Sequence, residues 1–275
     1  MSASYRSPRP ASYSRVAGRS MARRQESTTP APWAIAALAS SVMVASGAPG
    51  EPLADGTGTI EGQVFYEGEV PRPTIVMEGG RTQHVLYLGR NGGLRFAVAY
   101  LRAASRGPSE EQQSATFEEQ ESATLNQSGF IFEPQVLAVR EGQPVRFTNE
   151  DGANHNVRSD AKDPPNRFSV YTGAGQTETR RFRADPDHRP MVITCDIHPW
   201  MIAWIYTFAH PYFAVTDAAG RFRITGVPAG LHQLSLRHPA GGLQRDLRVQ
   251  VTKGQVAPVR LRFTSEDLTA RSPSD

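Results

Sequence analysis

The sequence predicts an all-β protein that contains two β-sandwiches. Short runs rich in Val, Ile, Phe and Tyr recur along the chain, separated by Gly, Pro, Asn and Asp, which is typical of strands and turns. A glutamate-rich segment without apolar periodicity interrupts these runs. Near the C-terminus, pairs of short runs flank turn residues, as the strands of hairpins do. With 275 residues, the chain has room for one or two domains with ordinary cores.

Residues 1–46 are predicted to be a leader that belongs to neither sandwich. They contain six arginines and a single glutamate, and a short apolar run over residues 32–44 follows a pair of arginines. Small residues come directly after that run, so the segment has the parts of a secretory signal peptide. We therefore expect a periplasmic or extracellular protein with no integral membrane span after cleavage; an uncleaved anchor is the alternative. Met21 is a candidate for the true start of translation.

The leader also carries the excess basic charge. The whole chain has 30 basic and 27 acidic residues and a net charge of +3. Residues 1–46 hold six of the basic residues and one of the acidic ones, so the remainder has a net charge of −2. The basic balance does not indicate binding to nucleic acid, because it is removed with the leader.

Beyond the leader, the first predicted strands cover residues 59–66 and 94–101. Residues 106–123 have no apolar periodicity and contain five glutamates, all between Glu110 and Glu121. This composition predicts a flexible linker and a domain boundary.

The second half of the chain contains most of the predicted strands. A strand-rich region over residues 124–208 comes first, and hairpin-like segments follow it up to residue 263. Residues 264–275 have the composition of a disordered tail. The strands predicted here are 129–139, 144–149, 177–183, 190–195, 212–216, 221–224, 231–236 and 256–263.

The only cysteine of the chain, Cys195, is followed by His198 and Met201 at intervals of three residues. Cysteines of exported proteins are usually paired in disulfides, so an unpaired one suggests a reactive or metal-bound thiol. A further histidine, His155, lies forty residues upstream of the cysteine, after a predicted strand. Two imidazoles, a thiolate and a thioether are the ligand set of a blue-copper electron-transfer site.

Each of these residues also has an ordinary structural interpretation. A buried cysteine behaves as a small apolar residue, His155 alone would be hydrogen-bonded in a loop or core, and Met201 alone would pack in the core. The combination at this spacing favours a metal site. Zinc is the second candidate metal, although methionine is a poor zinc ligand and only Asp196 offers a fourth donor of the usual kind.

Residues 130–157, joined to the loop from Cys195 to Met201, resemble the plastocyanin and amicyanin group of cupredoxins. The spacing Cys-x-x-His-x-x-Met is similar to the short ligand loop of amicyanin. The resemblance covers residues 124–208 and implies a Greek-key cupredoxin β-sandwich that holds one type 1 copper ion. It implies the equatorial ligands His155, Cys195 and His198 and the weak axial ligand Met201.

The resemblance also assigns residues around the ligands. Asn156 corresponds to the asparagine whose side chain ties the two ligand loops together in the family, and Asp196 and Pro199 are expected beside the ligands. Asp196 replaces a Thr or Ser, and a carboxylate near the metal should favour Cu(II) and lower the potential. Ile197 replaces a frequent proline, and the strand before Cys195 lacks the family's Gly-x-Tyr pattern.

An apolar patch for electron exit and partner docking is expected around His198, formed with Pro199 and Trp200; packing of these two residues in the sandwich core is the alternative. Trp204 is expected in the sandwich core. The remaining histidines show no pairing with other ligands and are interpreted as surface or structural residues: His84, His188, His210, His232 and His238.

The C-terminal region contains the run Thr216-Asp217-x-x-Gly220-Arg221-Phe222-x-Ile224, followed by the turn Val227-Pro228-Ala229-Gly230. With these motifs, residues 209–263 resemble the carboxypeptidase regulatory-like, transthyretin-type β-sandwich, which implies a structural or adhesive module. That family usually opens with a strand similar to residues 58–64. Our hypothesis is that the cupredoxin is inserted into this second small β-sandwich, with residues 58–105 and 209–263 forming one discontinuous domain.

These features favour an exported one-electron carrier that exchanges electrons with a redox partner protein. The alternative is a copper-binding or structural, adhesive binding module without redox turnover. An enzyme is not expected, since the chain contains no His-Glu-x-x-His, no Gly-x-Ser-x-Gly and no His-x-His pair of the multicopper oxidases. A complete Cys-His-His-Met set also leaves no open coordination position for a substrate.

Overall fold

The computed structural model describes residues 56–72, 74–75, 82–83, 85–102 and 121–268. The predicted leader, most of the predicted linker, His84 and residues 269–275 of the predicted tail lie outside the described residues. Within the described residues the protein is built from strands and turns, and the prediction of an all-β fold is confirmed. No helix in this part of the chain is long and apolar enough to cross a membrane.

The described residues form eighteen strands and two short 3₁₀ helices. The strands up to the metal-ligand region are β1 (Thr57–Glu67), β2 (Thr74–Ile75), β3 (Thr82–Gln83), β4 (Val98–Leu101), β5 (Ala123–Gln127), β6 (Phe132–Glu133), β7 (Val136–Arg140), β8 (Pro144–Asn149) and β9 (His155–Ser159). They are followed by β10 (Phe168–Thr172), β11 (Thr177–Arg181), β12 (Met191–Thr194), β13 (Ile202–Phe208), β14 (Phe213–Val215), β15 (Arg221–Pro228), β16 (Gly230–His238), β17 (Leu243–Val251) and β18 (Val256–Thr264). The 3₁₀ helices are Pro164–Asn166 and Ser265–Asp267.

The strands from β5 to β13 form the first sandwich. One of its sheets has the strand order β10-β9-β12-β13-β7, and the other has the order β11-β8-β5-β6. Strand β8 shows how the sequence specifies this arrangement, because Val145 and Phe147 are buried while Arg146 between them is exposed. Its core holds Leu125, Phe132, Val139, Val145, Phe147, Val157, Phe182, Met191, Ile193, Cys195, Met201, Ala203 and Ile205.

The second sandwich combines strands from both ends of the described chain. Strand β1 is the central strand of the sheet β15-β1-β18; it pairs antiparallel with β15 and parallel with β18. Strand β4 pairs with β14 and β16 in the sheet β14-β4-β16-β17. Along the sequence, every strand of the first sandwich therefore lies between β4 and β14 of the second.

A third apolar cluster, here called the interface cluster, joins the two sandwiches. Strand β13 directs Ala203 and Ile205 into the core of the first sandwich, and the alternate residues of the strand belong to the interface cluster. Strand β4 is likewise buried along its whole length. Trp204, which was expected in the sandwich core, is 7% exposed and lies in this cluster instead. The interface cluster consists of Phe96, Val98, Tyr100, Val136, Trp204, Tyr206 and Phe208.

Two predicted boundaries are wrong by a few residues. Thr264, predicted as the start of the disordered tail, is the last residue of β18, and the 3₁₀ helix Ser265–Asp267 follows it. The backbone N–H of Thr264 donates to the Asp267 carboxylate at 2.8 Å, which stabilises this end of the chain. At the other boundary, Ala123, predicted as the last linker residue, is the first residue of β5.

Candidate metal centre

Three side chains that could hold a metal ion meet at one end of the first sandwich. His155 is the first residue of β9, Cys195 directly follows β12, and His198 lies in the loop that joins β12 to β13. Strands β9 and β12 are neighbours in the same sheet, so their ends bring the three residues together. All three are buried, with exposed fractions of 0% for His155, 2% for Cys195 and 6% for His198.

The three donor atoms form a compact triangle. The Nδ1 atoms of His155 and His198 are 2.9 Å apart, and Cys195 Sγ lies 3.9 Å from the first and 3.7 Å from the second. A triangle with these sides has a centre about 2.1 Å from each corner, close to ordinary metal–nitrogen and metal–sulfur bond lengths. Such a set of one thiolate and two imidazoles fits a trigonal copper site. Within the described part of the chain, this is the one cluster of three such donors.

Met201 lies at the start of the neighbouring strand. It directly precedes β13, is fully buried and shares the core of the first sandwich with Cys195. Its backbone N–H donates to the carbonyl of His198 at 2.9 Å, which closes the ligand loop into a tight turn. The structure therefore brings all four predicted ligands to the same end of the sandwich.

Asn156 connects the two segments that carry the candidate ligands. Its Oδ1 accepts a hydrogen bond from the backbone N–H of Asp196 at 2.7 Å, and its Nδ2 donates to the Asp196 carboxylate at 2.7 Å. The second oxygen of that carboxylate forms an ion pair with Arg158 at 2.7 Å. The Asp196 side chain is 47% exposed, so its charge is both paired and solvated.

Asp151 is a residue of the centre that was not predicted from the sequence. Its carboxylate lies 2.8 Å from Nε2 of His155 and is almost buried, with an exposed side-chain fraction of 8%. A carboxylate in this position holds the imidazole proton on Nε2, which leaves Nδ1 available as a metal ligand. The same carboxylate accepts backbone hydrogen bonds from Gly129 at 2.6 Å and Phe130 at 3.0 Å. A carboxylate four residues before a candidate ligand was the available sequence signal.

Phe130 is the second residue of the centre that was not predicted. Its ring meets the imidazoles of both candidate ligands edge-on, with centroid distances of 5.5 Å to His155 and 5.1 Å to His198. The indole N–H of Trp200 donates to the carbonyl of Phe130 at 3.0 Å, and the Trp200 ring lies 5.4 Å from that of His198. Of the predicted exit patch, Pro199 is exposed, Trp200 is half-buried and little of His198 reaches solvent.

The other described histidines lie away from this cluster. His210 and His238 are buried, and burial lowers the pKa of each to about 4. His188 is half-buried, and burial lowers its pKa as well. The Nε2 atom of His232 lies 2.7 Å from the carbonyl of Pro228.

No model of a known protein family matches this chain, and no curated protein matches it in sequence. Solved structures do match, over part of the chain. It is similar to a copper-containing nitrite reductase from Thermus scotoductus, with 26% identity and a TM-score of 0.29. That match covers 32% of this chain and 22% of the reductase, so the chain spans less than a quarter of the reductase's length.

Two smaller proteins match over most of their own length. A purple cupredoxin from Nitrosopumilus maritimus has 18% identity and a TM-score of 0.27, and the match covers 31% of this chain and 99% of the cupredoxin. Amicyanin from Paracoccus versutus has 14% identity and a TM-score of 0.28, and the match covers 32% of this chain and 82% of amicyanin.

Proposed function

We propose that this protein is an exported one-electron carrier that holds one copper ion in a type 1 site. The observation that carries the proposal is the buried triangle of His155 Nδ1, His198 Nδ1 and Cys195 Sγ, whose sides range from 2.9 to 3.9 Å. The triangle has the size and the donor types of a trigonal copper site. Met201 supplies a thioether at the same end of the sandwich and is proposed as the weak axial ligand.

The ligand set favours copper over structural zinc. Structural zinc sites have four nitrogen, sulfur or carboxylate donors, whereas the cluster here has three. Asp196, the one candidate for a fourth zinc ligand, directs its carboxylate to Asn156 and Arg158. A thioether from Met201 in the fourth position would suit copper and would leave no open position at which a substrate could bind.

The residues around the site favour fast electron exchange. Bound copper supplies a one-electron couple between Cu(II) and Cu(I). The Asp151 carboxylate orients His155, and Asn156 ties the loop of His155 to that of Cys195. The adjacent strands β9, β12 and β13 of one sheet hold the ends of these loops. Donors fixed in this way rearrange little when the metal changes its charge, which is what an electron carrier needs.

The second sandwich is proposed to be one discontinuous domain made of residues 58–105 and 209–263, with the cupredoxin domain 124–208 inserted into it. The pairing of β1 with β15 and β18 supports this division, as does the pairing of β4 with β14 and β16. Its proposed role is structural or adhesive. A redox partner protein in the periplasm or outside the cell is proposed to deliver or collect the electron.

The visible and EPR spectra of the purified protein after addition of Cu(II) test the proposal. We expect an intense blue thiolate-to-copper band and a narrow hyperfine splitting, because Cys195 is the only thiolate available. The variant Cys195→Ser should lose both signals. A wild-type protein that stays colourless and retains zinc, or no metal, would contradict the proposal and leave a structural module.

A further inference from the structure

Phe130 lies against the two imidazoles that form one side of the donor triangle. Its ring is perpendicular to both, at interplanar angles of 80° to His155 and 83° to His198. Both histidines are almost completely buried, whereas Phe130 and Trp200 are half-buried. The two aromatic rings therefore stand between the imidazoles and the solvent.

The backbone of Phe130 has an unfavourable conformation that the surroundings maintain. Its φ angle is 59°, in the left-handed region that a bulky residue rarely adopts. Such a residue persists only when neighbouring contacts hold it, and strained residues of this kind are concentrated at functional sites. Gly129, with a φ angle of 65°, precedes it, so two successive left-handed residues form this turn.

Two residues of the metal centre hold this turn in place. The Asp151 carboxylate accepts the backbone N–H groups of Gly129 and Phe130 and also contacts Nε2 of His155. On the other side, Trp200 donates its indole N–H to the Phe130 carbonyl and packs against His198. Phe130 is thus linked to both candidate ligand histidines, to His155 through Asp151 and to His198 through Trp200.

We propose that Phe130 is a cover of the metal centre, which Asp151 and Trp200 hold over the two imidazoles to keep water and small external ligands away from them. That the metal beneath Phe130 is copper rests on the proposed function. The shielding of the two imidazoles does not depend on which metal binds. An apolar shell around a metal controls the access of solvent and therefore the properties of the site. Phe130 acts through its position and is not itself a ligand.

A comparison of Phe130→Gly with Phe130→Tyr tests the cover without metal. Glycine adopts the left-handed conformation without strain, so the first variant removes the ring and keeps the turn, whereas the second keeps a ring of the same shape. The metal-free proteins are treated with diethyl pyrocarbonate, and modification of each histidine is followed by mass spectrometry. We expect His155 and His198 to react about tenfold faster in Phe130→Gly than in wild type, and at the wild-type rate in Phe130→Tyr. His232, remote from the centre, should react equally in all three.

The copper-loaded proteins provide a second readout. Azide should change the visible spectrum of Phe130→Gly at concentrations that leave wild type and Phe130→Tyr unchanged, and a chelator should remove copper from the glycine variant faster. Should Phe130→Gly lose its fold, Trp200→Phe replaces it as the test variant, because it keeps a ring but lacks the indole N–H that holds Phe130. Its histidine labelling and its loss of copper to a chelator should both be faster than in wild type, although less so than after removal of the Phe130 ring. Equal histidine labelling in Phe130→Gly and wild type would overturn the cover. Faster labelling together with failure of wild type to bind copper would overturn the proposed function and leave the cover intact.

Discussion

Two carboxylates lie next to the candidate metal ligands, and their partners give them different roles. Asp151 is buried and contacts the His155 imidazole directly, whereas Asp196 is half exposed and forms an ion pair with Arg158. From the sequence, an electrostatic effect on the metal was expected of Asp196. In the structure, Asp151 is the carboxylate that contacts a candidate ligand directly. The electrostatic effect of Asp196 on the site is weakened, because its side chain is exposed and paired with Arg158.

Replacement of Asp151 should weaken metal binding. In Asp151→Asn the charge is lost and an amide N–H₂ replaces one of the oxygens that His155 and Phe130 contact. We expect about a 10- to 100-fold lower copper affinity in a competition titration, since loss of a partner that orients a ligand typically has this effect. Asp160→Asn is the matched control, because that carboxylate is 69% exposed and pairs with Arg158 alone among the described residues. Equal affinities of the two variants would contradict the role of Asp151.

The candidate ligands could be named from the sequence, whereas the residues around them could not. Cys195, His198 and Met201 are close in sequence, and their chemistry and spacing predict a ligand loop. Phe130 is far from them in sequence, and its position depends on a left-handed turn that many sequences could form. Contacts of this kind are fixed by loop conformation, which local residue patterns do not specify.

Among the strands, β4 and β13 are unusual because they are buried on both faces. Their sequences, Val98-Ala99-Tyr100-Leu101 and Ile202 to Phe208, are almost continuously apolar, as expected for strands covered on both sides. In β13 the alternate residues divide between two cores, the first sandwich and the interface cluster. An apolar run predicts that both faces of a strand are buried. It does not predict which other sheet packs against each face, because that depends on the assembled fold.

The interface cluster should contribute strongly to stability through Phe208. This side chain is fully buried, with ring centroids 5.0 Å from Tyr100 and 4.7 Å from Phe213. We expect Phe208→Ala to lower the free energy of unfolding by about 3–5 kcal/mol, because the cavity it creates lies between two packed sheets. Urea denaturation measures this loss. Tyr171→Ala is the control, since Tyr171 is 58% exposed and its truncation should change stability little. Similar losses in both variants would show that the interface cluster is not tightly packed.

At the level of the whole molecule, buried histidines predict how stability depends on pH. Burial lowers the pKa of His210 and of His238 to about 4 in the folded protein, whereas an unfolded histidine has a pKa of about 6.5. Between these values the unfolded state binds more protons than the folded state. The free energy of unfolding should therefore decrease as the pH falls from about 6.5 to about 4, by up to about 3 kcal/mol for each histidine.

Urea denaturation of the metal-free protein at several pH values between 7.5 and 4.5 measures this dependence. The double variant His210→Asn, His238→Asn should show a flatter profile over that range, since asparagine can accept the backbone hydrogen bonds that the two imidazoles accept from Tyr212 and Gly241. His232→Gln is the control and should keep the wild-type slope. An unchanged slope in the double variant would mean that other groups determine the pH dependence.

The overall architecture followed from the sequence because strong local patterns agree with the final fold. Alternating and continuous apolar runs predicted the strands. The metal-binding side-chain types, together with the family resemblance, predicted that the loop of His155 meets the loop of Cys195 and His198. The boundaries at Ala123 and Thr264 were misplaced, since polar composition does not distinguish a solvated strand end or short helix from a tail. The joining of the sandwiches through β4 and β13 depends on surfaces that exist only after the sheets form.

The place of β1 in its sheet also fixes an order of events during folding. This strand is made early, yet its two hydrogen-bonded neighbours, β15 and β18, are among the last strands of the chain. Contacts between residues so far apart in sequence form slowly, because a long loop must close first. Until Val256 to Thr264 has been made and docked, one side of β1 keeps unpaired backbone groups that could associate with another chain. A chain truncated before β18 would therefore expose an unpaired strand edge that promotes self-association. Pairing of β18 with β1 removes this edge.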